Sequence, residues 1–90
     1  MRSIKEYKAT FEFFQIWNNK KHINGDYTLT VEAYTITEAI EQAQKQLANY
    51  LQTKYHKAGF CIVVMAKGTV KMVIKGKAIF VCHLYNIGEM

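Results

Sequence analysis

The side chains of this chain with chemistry to offer are its three histidines, two cysteines and twelve bases. His22, His56 and His83 have no carboxylate, nucleophile or second histidine at a spacing that a catalytic or zinc site uses. His56, between Lys54 and Lys57, suits a helix end or an anion contact better than a general base. Cys61 and Cys82 form no Cys-x-x-Cys motif, and both read as small buried side chains on strands. No catalytic residue, metal ligand or cofactor can be assigned, so a non-enzymatic protein is expected.

The lysines say more. Residues 1–50 carry six bases and six acids, whereas residues 51–90 carry six lysines against Glu89 alone, so the last 40 residues hold the whole net charge of +5. Lys67, Lys71 and Lys75 share a parity with Thr69 and Val73, and Lys77 follows in the next turn. Lysines four apart on a strand lie about 13 Å from each other, which suits a nucleic-acid backbone better than one compact anion. Lys20 and Lys21 with His22, and Lys54 and Lys57 around His56, would widen that patch. Such contacts bring affinity and salt dependence with little sequence reading. Lysine on an edge strand also guards against edge-to-edge pairing, a role that needs no ligand. Most aromatic residues read as core. Trp17, Tyr34 and Tyr85, near strand ends, are the ones placed to stack on a base.

One helix and several strands must position these groups. Thr35–Tyr55 has sustained helical periodicity, with Ile36, Ala39, Ile40, Ala43, Leu47, Tyr50, Leu51 and Tyr55 on one face and Glu41, Gln42, Gln44, Lys45, Asn49 and Gln52 on the other. Thr35 and Glu38 have the spacing of a capping box, in which Glu38 returns to the amide of Thr35. Gly59 is placed to end the helix. Lys5–Trp17 and Tyr27–Tyr34 alternate as half-buried strands, joined by a long polar hairpin loop over Asn18–Asp26 that contains Asn24-Gly25. Phe60–Ala66, Thr69–Lys75 and Ala78–Tyr85 follow as short strands divided by Gly68 and Gly76, with Gly88 in a tail. The order β-β-α-β-β-β predicts a single α+β domain over residues 1–90. In it one helix packs on a largely antiparallel four- to five-stranded sheet.

One helix covers one face of a sheet. Phe14, Ile16, Val63, Met65, Val73, Ile79 and Val81 have the opposite parity, and an apolar face of that size predicts a homodimer built across it. The longest apolar run, Phe60–Ala66, is too short to cross a bilayer. The start, MRSIKEYK, lacks a signal-peptide core, so a cytoplasmic protein with no membrane contact is expected.

The stretch Thr28–Leu47, TLTVEAYTITEAIEQAQKQL, resembles a strand-to-helix passage of small bacteriophage-encoded accessory proteins. That resemblance implies action by binding, on a host enzyme or host-defence factor. It also implies similarity to small basic phage inhibitors of ribonuclease toxins, in which RNA can take part in binding the target. The combined expectation is a basic binding protein that contacts RNA or another polyanion, with a host nuclease toxin or defence factor as the target it would inhibit. The alternative is a protein-binding inhibitor with no nucleic-acid role, its charge serving solubility and steering.

Overall fold

A computed structural model of the chain describes residues 3–54, 60–65 and 68–90. The elements are β1 (Lys5–Trp17), β2 (Lys20–Ala33), α1 (Ile36–Lys54), β3 (Phe60–Met65), β4 (Thr69–Ile74) and β5 (Lys77–Glu89). The strands form one five-stranded sheet in the order β2-β1-β5-β4-β3, with every neighbouring pair antiparallel. This is the α+β arrangement of one helix on an antiparallel sheet. No helix among the described residues is long and apolar enough to cross a membrane.

The β1–β2 connection differs from the expected loop. Asn18 and Asn19 alone make the turn, with φ of 50° and 60°. Two successive left-handed residues give the tight hairpin whose twist matches its strands, and asparagine tolerates that conformation. Asn24-Gly25 lies inside β2, where a register shift opposite Phe13 and Phe14 marks a bulge and Gly25 adopts φ 122°. Lys75 and Gly76, with φ of 51° and 78°, make the same kind of two-residue turn between β4 and β5. The last strand runs past Tyr85 to Glu89, so Gly88 pairs with Lys8 and is not in a tail.

Helix α1 begins as its cap spacing predicts. The amide of Glu38 donates to Thr35 Oγ1 (3.2 Å), while the Glu38 carboxylate accepts from the amide of Tyr34 (3.0 Å), one residue earlier than the capping box requires. Ala39, Ala43, Leu47 and Leu51 are buried, and the small alanines let the helix approach the sheet. They meet Tyr7, Ala9, Phe11, Val31, Ala33, Val70, Met72, Phe80 and Cys82 in one core. Full burial of Phe11 or Leu47 contributes about 1.5–3 kcal/mol each over exposure. Ile36, expected inside, is exposed at the first turn. Gln44, expected in solvent, is buried, and its Nε2 donates to the carbonyls of Met65 and Thr69 where β3 gives way to β4.

Candidate nucleic-acid interface

Topology gathers the bases that sequence order scatters. β1 runs to the Asn18-Asn19 turn, and β5 starts beside the end of β1, with Gln15 opposite Phe80. The two hairpin tips therefore lie at the same end of the sheet. The helix starts after Ala33 at the far end and returns to Lys54 on the tip side. Lys20, Lys21, Lys54, Lys75 and Lys77 thus share one pole of a molecule whose longest extent is 49 Å. At the other pole Glu6 pairs with Glu32 across β1 and β2, and Lys5 Nζ lies 3.8 Å from Glu89.

Among the described residues the strands outrun the helix at the basic pole. Tyr50 stacks on Tyr27 at 4.5 Å, and α1 ends one turn later, whereas β2 extends seven residues beyond Tyr27 to Lys20. That overhang is about 23 Å of strand against about 6 Å of helix. On the helix side of the overhang β1 and β2 present Gln15 opposite His22 and Trp17 opposite Lys20. Trp17 is 52% exposed, and its ring lies 4.4 Å from that of His22. Lys77, opposite Ile74 at the adjacent tip, has the same parity. Lys54 Nζ lies 5.5 Å from the Tyr50 ring. An exposed indole opposite Lys20, with further lysines toward the same end of the sheet, is a surface that can hold a base by stacking and its phosphates by charge.

Of the expected stripe of Lys67, Lys71 and Lys75, the described members Lys71 and Lys75 are not in one row. Lys67, like Lys57, His56, Tyr55 and Gly59, lies outside the described residues. Lys71 sits on the sheet face away from the helix, and Lys75 leaves the strand in the left-handed turn. On that open face a straight row crosses all five strands as Ile23, Phe14, Val81, Lys71 and Val63. Val81 is only 3% exposed there without a helix above it. Phe14 and Lys71 flank it in the ladder, as amphipathic lysine stems can cover apolar surface. Phe14, Ile16 and Val73 are half-buried. Ile79, expected on this face, instead packs against the helix-side core, because the register shift opposite Met72 and Val73 leaves it unpaired.

The open face also holds a constellation that spacing in the sequence does not reveal. His83 pairs with Glu12 and with Thr69 across the ladder. Lys21 Nζ lies 3.4 Å from His83 Nε2, and Thr69 Oγ1 lies 3.3 Å from Nδ1. An ammonium has only protons to offer, so Nε2 accepts and Nδ1 carries the hydrogen that Thr69 receives. Burial and the charges of Lys21 and then Lys71 hold the His83 pKa below its ordinary value, against the opposing pull of Glu12. A neutral imidazole at neutral pH follows. Cys82, buried in the core, has its thiol pushed up to about 12 by burial, so it is not a thiolate nucleophile. Cys61 is exposed on β3, contrary to the expectation that both cysteines are buried. Among the described residues no group of three histidine, cysteine or acidic side chains could hold a metal ion.

The chain matches no protein-family model, no curated protein and no solved structure.

Proposed function

We propose that this protein binds single-stranded RNA, or a polyanion of similar charge spacing, at the pole formed by its two hairpin tips. The observation that carries the reading is the exposed Trp17 at the same end as Lys20, Lys21, Lys54, Lys75 and Lys77. Stacking on an indole is sequence-tolerant and is worth about 1–3 kcal/mol per base, while lysine contacts make affinity fall with salt. The binding act requires no turnover. In the setting that the resemblance to phage accessory proteins implies, the RNA would be held together with a host nuclease or defence factor.

Fluorescence anisotropy of a labelled single-stranded RNA across a salt series tests this. Five phosphate contacts on a single strand give a slope of log K against log salt of about −3.5. Changing Lys20, Lys75 and Lys77 together to Glu should abolish binding with the fold intact by circular dichroism. Trp17→Ala should weaken binding by about tenfold or more while leaving the salt slope unchanged. Trp17 is the sole tryptophan, so quenching of its fluorescence reports the same contact directly. Unchanged affinity in the triple variant would sink the proposal.

A further inference from the structure

The two edges of the sheet are unlike each other. β2 forms one edge and carries Lys20, Lys21, Asp26 and Glu32 together with the bulge at Gly25, features that keep an edge from pairing with another chain. β3 forms the other edge as FCIVVM, with no charge, no glycine and no register shift against β4. Val63, Val64 and Met65 are 40%, 48% and 41% exposed there, and Cys61 is exposed as well. Six residues of high β-propensity, with one backbone edge that no described residue pairs, form a template for another strand. Of the residues expected to form a dimer interface across the open face, Val63 and Met65 are the exposed large ones, and both lie on this edge.

We infer that β3 pairs, antiparallel and across a two-fold axis, with β3 of a second copy of the chain. Antiparallel self-pairing suits an uncharged strand, because every register sets apolar side chains against apolar side chains and none sets like charges together. It also closes. A β3-to-β2 contact between copies would propagate into an open filament, and the charged, bulged β2 edge forbids it, whereas a β3-to-β3 contact uses up the one unprotected edge of each copy. The product is a continuous sheet across two chains with both helices on the same side. Because β3 is antiparallel to its partner, the two basic poles point in opposite directions. This pairing stands apart from the RNA reading, since no lysine of the basic pole takes part in it.

Sedimentation equilibrium over a wide concentration range, with the full chain, tests the inference. The wild type should fit a reversible dimer of twice the monomer mass, and Val63→Lys should remain monomeric with an unchanged circular dichroism spectrum. A lysine near the centre of the edge brings like charges of the two copies close together across the axis, while in the monomer it stays at an exposed position, opposite Lys71. Amide exchange locates the contact: alternate β3 amides protected in the wild type should exchange freely in Val63→Lys. Should that variant fail to fold, Met65→Lys, at an equally exposed position, carries the same measurement. A wild type that stays monomeric throughout overturns the inference. So does a dimer that survives a folded Val63→Lys, which would place the contact elsewhere on the molecule.

Discussion

Gln44 shows how one side chain can reverse its apparent role. By periodicity it belongs to the wet face of α1, yet it is 3% exposed and its amide donates to the carbonyls of Met65 and Thr69. Those carbonyls lie where β3 ends and β4 begins, and a part-buried acceptor left unpaired there carries a cost. Gln44→Ala should therefore destabilise the fold by about 1–3 kcal/mol in urea titration, through the orphaned carbonyls as much as the lost volume. Gln42→Ala, at an exposed position one turn face away, should change stability by less than about 0.5 kcal/mol. Equal effects at the two positions would contradict the bonding role given to Gln44. No single-sequence pattern could have found it, because its partners are backbone atoms about 20 residues downstream whose position depends on how the sheet folds back.

At the scale of elements, turns and bulges decide which face each side chain occupies. Helix α1 was legible, since its stripe and cap are local features. Strand β1 was legible too, with both ends at the residues its alternation gives. The β1–β2 turn was not, because Asn18-Asn19 and Asn24-Gly25 both carry turn chemistry and only cross-strand pairing selects between them. Gly68 makes a sharper case. It is buried with φ 83°, its carbonyl accepts from the amide of Leu84 (2.8 Å), and a Cβ added there would lie 2.5 Å from Leu84 Cβ. Gly68→Ala should cost about 2–4 kcal/mol, combining left-handed strain with overlap against β5, and should lower the melting temperature accordingly. Gly76→Ala, at φ 78° with nothing near the added atom, isolates the strain alone and should cost about 1–2 kcal/mol. A Gly68→Ala melting point as high as that of Gly76→Ala would mean that the β3–β4 connection yields readily.

At the scale of the molecule, charge and apolar surface occupy different ends and edges. The base-rich half of the sequence is not itself the basic surface. That surface draws Lys20 and Lys21 from the first hairpin and Lys54, Lys75 and Lys77 from the last 40 residues, and antiparallel topology brings their tips to one pole. The β3 edge lies to one side of this pole and carries no charge. If copies pair there, folding and association are linked, and the melting temperature should rise with protein concentration for the wild type. Val63→Lys should melt at one temperature whatever its concentration. Identical, concentration-independent melting of the two proteins would separate stability from the edge.

The sequence by itself determined the class of fold, the existence of one capped amphipathic helix, the strand-rich remainder and the excess of lysine. Each is written in periodicity, composition or short spacing, and local physics enforces it. Only the tertiary structure decided which lysines share an end of the sheet, that Trp17 stands exposed at that end, that His83 meets Lys21 and Thr69, and that β3 rather than β2 is the unguarded edge. Those outcomes depend on strand order and register. One bulged residue reverses the face of every side chain beyond it, and a strand's neighbours are chosen by packing across the whole sheet.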